Sequence, residues 1–72
     1  MFTRIIDFVR CGGHQIEVRV ERDCTGEVTF GFVAPGTDRL APVEGLGQFE
    51  SPDQALGAVK HWVTDWATRK YG

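Results

Sequence analysis

The residues that could support chemistry in this chain are two cysteines, two histidines and scattered carboxylates. Cys11 and His14 have the Cys-x-x-His spacing of half a zinc site, but a structural zinc ion takes four ligands. The other cysteine and histidine, Cys24 and His61, are predicted to lie far from this pair. A Cys-His catalytic pair would need a third group to orient the base and a cleft around both, and an exposed turn supplies neither. We therefore expect neither a metal site nor a catalytic pair.

Two further motifs are weaker. Residues 45–50, Gly-Leu-Gly-Gln-Phe-Glu, begin like a dinucleotide-binding turn, but they lack its third glycine and the chain is too short for the parallel strands of that fold. His61 and Asp65 are one helical turn apart, which favours an exposed side-chain contact over an acid-base couple. Since no nucleophile, base or metal-ligand set converges, the sequence predicts a non-enzymatic protein with no cofactor.

Length and composition predict a single small α+β domain over residues 1–72. The chain is 42% hydrophobic with a net charge of -2, so it should fold without a strong attraction for nucleic acid. It has no apolar stretch near the ~20 residues of a membrane span and no signal-peptide pattern. We expect a cytoplasmic protein with no membrane contact.

Three segments alternate between apolar and other residues with the period of two that is typical of strands: 2–10, 14–22 and 27–34. Between the second and third segments, Asp23 and Gly26 suit a three-residue hairpin turn, which pairs Val20 with Phe30. The same logic places Cys11 and Cys24 in turns at opposite ends of the middle strand, ~30 Å apart. That distance excludes a disulfide and predicts two free thiols, which favours a reducing compartment.

The first turn, before His14, is compatible with two registers. A three-residue turn pairs Phe8 with Ile16 and buries Ile6 and Phe8. A two-residue Gly-Gly turn would put Asp7 opposite Val18 inside the core, where desolvation of the carboxylate is costly. We therefore expect the three-residue turn.

The end of the chain has a strong helix signal. Ser51 is a suitable N-cap, Pro52 suits the first helical position, and Gln54 completes a capping box, so a helix is predicted from about 52 to 69. Its apolar residues recur at spacings of three and four: Ala55, Leu56, Val59, Trp62, Val63 and Trp66. Residues 35–48 indicate a loop, with a short fourth strand over 46–49 as an option. The predicted fold is α+β, a three-stranded antiparallel meander with this optional strand, packed on one C-terminal helix in the order β-β-β-(β)-α.

One helix can cover only one face of such a sheet, so the other face is where we expect a function. The predicted partner surface on that face consists of Ile5, Asp7, Val9, Glu17, Arg19, Glu21 and Val33. We expect a small protein-interaction or self-associating module that uses this face or the edge of the first strand. The alternative is a nucleic-acid-binding module that uses the basic residues of the first hairpin: Arg4, Arg10, Arg19 and Arg22.

Residues 46–55, Leu-Gly-Gln-Phe-Glu-Ser-Pro-Asp-Gln-Ala, resemble the junction of last strand and helix in plant ethylene-response-factor DNA-binding domains and phage integrase arm-binding domains. Those families place a three-stranded sheet against one helix and read the DNA major groove with the sheet. Strands followed by a Ser/Thr-capped helix also resemble HicB-type antitoxin domains. The resemblance implies the same sheet-plus-helix fold. It transfers no binding residue, because this sheet lacks the families' dense Arg and Trp.

Overall fold

The computed structural model describes residues 2–47, 49 and 51–71. Its elements are β1 (Thr3–Cys11), β2 (His14–Arg22), β3 (Val28–Val33), β4 (Leu40–Pro42) and α1 (Pro52–Tyr71). The four strands form one antiparallel sheet in the order β1-β2-β3-β4, and α1 packs across β1, β2 and β3 on one face. The predicted α+β class and the predicted order of elements are confirmed.

The β1-β2 hairpin has a two-residue turn, so the predicted three-residue turn is wrong. Cys11 pairs directly with His14, and Asp7 pairs with Val18. Gly12 and Gly13 have φ angles of 58° and 79°. A type I′ turn requires positive φ at both central positions, and its twist matches that of the strands. Two consecutive glycines meet this requirement without strain.

The change of register by one residue reverses the faces of β1 relative to the prediction. Ile5 and Val9 face the helix, whereas Ile6 and Phe8 lie on the open face. The desolvation cost that spoke against this register is outweighed by hydrogen bonds from Lys60 and from the Phe8 N–H, which lower the pKa of Asp7. Asp7 lies at the margin of the sheet with 41% of its side chain exposed, and its carboxylate is 3.0 Å from the ammonium of Lys60.

The β2-β3 hairpin has the predicted three-residue turn. The Gly26 N–H donates to the Asp23 carbonyl at 3.1 Å, and Gly26 has the expected left-handed φ of 88°. The Asp23 carboxylate accepts hydrogen bonds from Thr25 and Glu27, and these bonds, that of the Thr25 hydroxyl foremost, lower the pKa of Asp23. The resulting pairing of Val20 with Phe30 is confirmed.

A fourth strand is present, but it lies at Leu40–Pro42 and not at 46–49. Leu46, Gly47 and Phe49 lie in no strand, and residue 48 is outside the described residues. The chain turns back earlier than predicted because Pro35-Gly36 forms a type II turn directly after β3. The φ of Gly36 is 82°, and the Thr37 N–H donates to the Ala34 carbonyl at 3.1 Å.

The core lies between α1 and the inner face of the sheet. Its buried residues are Val9, Ile16, Val18, Val20, Phe32, Val43, Ala55, Val59, Val63 and Ala67. Phe32 also contacts the rings of Trp62 and Trp66, with centroids 5.7 and 4.8 Å away. The predicted apolar stripe of the helix is confirmed as its packing face. Within the described ranges, no helix is long and apolar enough to cross a membrane.

Candidate interaction surface

The open face of the sheet, called the outer face below, carries an apolar patch around one ion pair. The strand register aligns two rows of side chains across this face. One row runs Ile6, Arg19, Gly31, Pro42, and the next runs Phe8, Glu17, Val33, Leu40. We call these two rows the outer-face patch. Three of its large apolar side chains remain close to half exposed: Ile6 at 47%, Phe8 at 46% and Leu40 at 47%.

Two of the three arginines on the outer face are paired with a glutamate of the same face. Arg19 forms an ion pair with Glu17 in the centre of the patch. Beside the patch, Arg4 Nε lies 3.2 Å from Glu21 Oε1. The Arg19 and Glu17 side chains are only 34% and 27% exposed. The patch therefore presents little net charge to a partner.

Gly31 lies at the side of a groove in the patch. A Cβ atom at this position would lie 2.7 Å from the Ala41 carbonyl oxygen and 2.9 Å from Leu40 Cγ, so only glycine lets β4 approach so closely. The groove has a volume of about 170 Å³. Its lining consists of Arg19, Glu21, Thr29, Phe30, Gly31, Leu40 and Pro42. Cavities of about 150 Å³ accept a benzene ring, so a single apolar side chain could fill the groove.

The structure places only part of the predicted partner surface on the outer face. Glu17, Arg19, Glu21 and Val33 lie there, as expected. Ile5, Asp7 and Val9 were assigned to the wrong face, because the two-residue turn rotates them towards the helix. Ile6, Phe8, Leu40 and Pro42 lie on the outer face in addition to these four residues. The Gly-Gly and Pro-Gly dipeptides were the local signals that could have identified them.

The four arginines predicted to contact nucleic acid do not form one basic surface. Arg4, Arg10 and Arg19 share the outer face, whereas Arg22 lies on the helix-facing side of β2. Arg4 and Arg19 are each paired with a glutamate. Such pairing reduces the positive potential on which phosphate binding depends.

Cys11 and His14 lie opposite each other at the first turn, against the end of α1. Cys11 Sγ is 3.7 Å from Thr68 Oγ1, and the His14 ring stacks on Tyr71 with a centroid distance of 4.2 Å. Cys24 lies in the other turn, and both cysteines are free. In the described part of the chain, no cluster of three or more His, Cys, Asp or Glu side chains could hold a metal ion. These contacts pack the helix end onto the hairpin.

His61 and Asp65 form the predicted one-turn contact on the solvent side of α1. His61 Nε2 lies 3.5 Å from Asp65 Oδ2, and the two side chains are 81% and 62% exposed. Without a surrounding cleft, such a pair offers no site for a substrate.

The segment that carries the family resemblance leads into α1. The Ser51 hydroxyl accepts a hydrogen bond from the Gln54 N–H at 3.3 Å, and the helix begins at Pro52 as predicted. Both are properties of a capped helix start in general. Comparison of the chain with protein-family models, with curated proteins and with solved structures finds no match.

Proposed function

We propose that this chain is a small self-associating interaction module whose outer-face patch binds the same patch of a second copy. The observation that carries the proposal is the half exposure of Ile6, Phe8 and Leu40 on a face that α1 leaves uncovered. Water-exposed apolar groups of this size, gathered on one side, favour burial against another surface. We assign no catalytic activity, since the acid-base pairs of the chain are exposed and do not converge.

The dimensions of the domain suit such a dimer. The molecule measures 37 × 22 × 16 Å, and the short axis corresponds to the stacking of one helix layer on one sheet. The outer face is therefore one of the two broad sides. The outer-face patch covers the middle of this side, so the proposed interface belongs to the small class that buries less than ~1,200 Å² in total.

The charge of the patch also favours a second copy. Arg19 and Glu17 neutralise each other, so two patches can approach without net repulsion. A strongly charged partner, in contrast, would find no complementary surface here. Arginine beside exposed apolar and aromatic side chains is a composition typical of interface cores.

A twofold axis that runs across the strands, between the two rows, matches the charges of the two copies. Rotation about this axis keeps each strand over its counterpart and places each row of one copy over the other row of the second copy. Arg19 then faces Glu17 of the second copy, and Ile6 faces Phe8. The symmetry makes each contact twice, as an isologous dimer requires.

The test is the effect of Phe8→Asp and Ile6→Asp on self-association, measured by sedimentation equilibrium from micromolar to millimolar protein. A buried aspartate should weaken the dimer by at least ~10-fold. Phe2→Asp is the matched control, because Phe2 is 56% exposed and lies ~20 Å along the chain from Phe8. A wild-type chain that stays monomeric at millimolar concentration would refute the proposal, as would equal effects of all three variants.

Cysteine cross-linking tests the orientation. In a background with Cys11→Ser and Cys24→Ser, a chain with Ile6→Cys should be joined to a chain with Phe8→Cys by a bis-maleimide of ~10 Å reach, since packed sheets lie about that far apart. Ile6→Cys should be joined to Pro42→Cys much more slowly, because β1 of one copy faces β1 of the other and β4 is three strands away. Faster joining of Ile6→Cys to Pro42→Cys would reject this axis while leaving self-association intact.

We also propose a cytoplasmic location, because Cys11 and Cys24 are free thiols. The test is the native thiol count of protein recovered from the source cell under rapid alkylation. Two alkylated thiols per chain are expected, and a mixed or intermolecular disulfide as the main form would contradict the location.

A further inference from the structure

Strand β1 is an edge strand whose outer side is open to another strand. Cys11 and His14 flank a two-residue turn and therefore form a hydrogen-bonded pair, and the alternation continues along the strand. The backbone groups of the odd-numbered residues consequently point to β2. Those of the even-numbered residues, Arg4, Ile6, Phe8 and Arg10, point away from the sheet. A nine-residue edge without proline is a template for pairing with another chain.

This edge is complementary to itself. A second β1 strand, added antiparallel and centred on Asp7, would set Ile6 of each copy beside Phe8 of the other on the outer face. Both side chains are close to half exposed in the single chain. Aromatic side chains opposite β-branched ones form favourable cross-strand pairs. Arg4 of each copy would lie opposite Arg10 of the other, a like-charge pair at both ends that opposes the same arrangement. The apolar centre of β1, Ile6 and Phe8, nevertheless favours an unwanted continuous sheet of two copies.

Asp7 lies at the centre of that edge, and its carboxylate is hydrogen-bonded to a backbone N–H of the edge. Its Oδ1 accepts the Phe8 N–H at 2.8 Å, so one of the outward-pointing donors is already bonded within the chain. Its Oδ2 accepts a hydrogen bond from Lys60 Nζ at 3.0 Å. In the register centred on Asp7, the two aspartates would form a non-hydrogen-bonded pair with Cα atoms ~4.5 Å apart. Two carboxylates at that distance repel each other.

The opposite edge of the sheet is also unsuited to strand addition. The Val43 N–H donates to the Phe30 carbonyl at 3.2 Å, so Val43 faces β3 and the neighbouring Pro42 faces outward. Proline has no N–H to offer at that position, and β4 is only three residues long. Short edge strands, outward prolines and inward-pointing charged residues are known protections of sheet edges, and this domain combines all three.

We propose that Asp7, held in place by Lys60, blocks the β1 edge against strand addition by a second copy. Lys60 contributes from α1, fifty-three residues further along the chain, and fixes the carboxylate at the edge. The block does not depend on the proposed outer-face dimer, because it would protect a monomer equally. If both proposals hold, Asp7 directs self-association to the outer face.

The test replaces Asp7 and measures mass and amide exchange together. Asp7→Val removes both the charge and the acceptor while keeping a residue suited to a strand. The matched control is Asp38→Val, which makes the same charge change in the exposed β3-β4 loop. We expect Asp7→Val to form a species of twice the wild-type mass. Hydrogen exchange of the Ile6 amide, which points away from the sheet at the β1 edge, should slow by about tenfold or more. Asp38→Val should match the wild type.

Two results would overturn the block. The first is that Asp7→Val folds and keeps the wild-type mass. The second is that its mass doubles while hydrogen exchange at the Ile6 amide stays unchanged, because the copies would then associate through another surface. Should Asp7→Val fail to fold, Asp7→Ala decides, because it also removes both the charge and the acceptor but places only a small side chain at the position. Doubled mass with slowed Ile6 exchange then supports the block, and wild-type mass refutes it.

Discussion

The turn between β1 and β2 gives the sharpest test of the fold, because its two glycines share a backbone requirement but differ in their surroundings. Gly12 and Gly13 both have positive φ, at 58° and 79°. A Cβ atom added to Gly13 meets nothing within 4 Å, whereas one added to Gly12 would lie 3.0 Å from Tyr71 Cβ and 3.2 Å from the Tyr71 carbonyl oxygen. Alanine substitutions therefore separate backbone strain from helix packing.

The magnitudes follow from these two environments. An alanine in the left-handed region costs about 1–2 kcal/mol, so Gly13→Ala should lower the free energy of unfolding by that amount. Gly12→Ala carries the same strain and also forces the end of α1 away from the turn. Overpacking of this kind adds about 1–3 kcal/mol. Because domains have only about 0.05–0.15 kcal/mol of stability per residue, Gly12→Ala should remove a large share of the total.

The assay is urea denaturation followed by the fluorescence of Trp62 and Trp66, with thermal melting as a second measurement. A loss of 1 kcal/mol corresponds to a drop of about 4–8 °C in melting temperature for a domain of this size. Gly12→Ala should melt well below Gly13→Ala.

The sign of the Gly12→Ala effect also decides the register. In the three-residue turn favoured by sequence reasoning, Gly12 would have negative φ, and alanine there would raise stability by about 0.4–1 kcal/mol. A stabilised Gly12→Ala variant would therefore refute the two-residue turn and the face assignment of β1. Equal losses for the two variants would refute the contact with Tyr71.

The remaining predictions concern the close approach of β4 to Gly31 and the stability of the domain at acidic pH. Gly31→Ala should destabilise the domain by about 1–3 kcal/mol in urea denaturation, because the new Cβ would lie 2.7 Å from the Ala41 carbonyl oxygen. Gly57→Ala is its control on α1, where the added Cβ meets nothing within 4 Å, and it should raise stability by up to ~1 kcal/mol. The hydrogen bond from Lys60 foremost, and that from the Phe8 N–H, lower the pKa of Asp7 from 3.8. The stabilisation by Asp7 is therefore complete above its unfolded pKa and is lost as the pH falls through the lower folded pKa. The urea midpoint of the wild type should fall over this acidic range, and the fall should be smaller in Asp7→Asn, which has no carboxylate to protonate.

Local sequence signals predicted the elements whose geometry is set locally. The Ser51 cap and Pro52 fixed the start of the helix, and Asp23 with Gly26 fixed the second hairpin, because each signal acts within a few residues. The Pro35-Gly36 dipeptide carried a similar signal for a tight turn, and reading the whole segment as a loop misplaced β4.

The face of β1 depended on a contact that no local pattern contains. Asp7 was excluded from the helix side because an isolated carboxylate is costly to bury. In the structure, Lys60 reaches it from a helix fifty-three residues away, and the margin of the sheet leaves it partly in water. Two of the eight residues of the outer-face patch, Ile6 and Phe8, were consequently assigned to the core. A strand register that places a charged residue at the margin of a sheet should therefore be rejected only after residues distant in the sequence have been considered as its partners.

The position of α1 at the end of the sequence has a consequence for folding. The contacts that join it to β1, Lys60 with Asp7 and Thr68 with Cys11, span fifty-three and fifty-seven residues. Contacts of such long range form late and slow the folding of small domains. Until α1 docks, the inner faces of both hairpins have nothing to pack against. The C-terminal helix α1 thus holds the first strand, β1, in place. It thereby also holds the outer-face patch that is proposed for self-association.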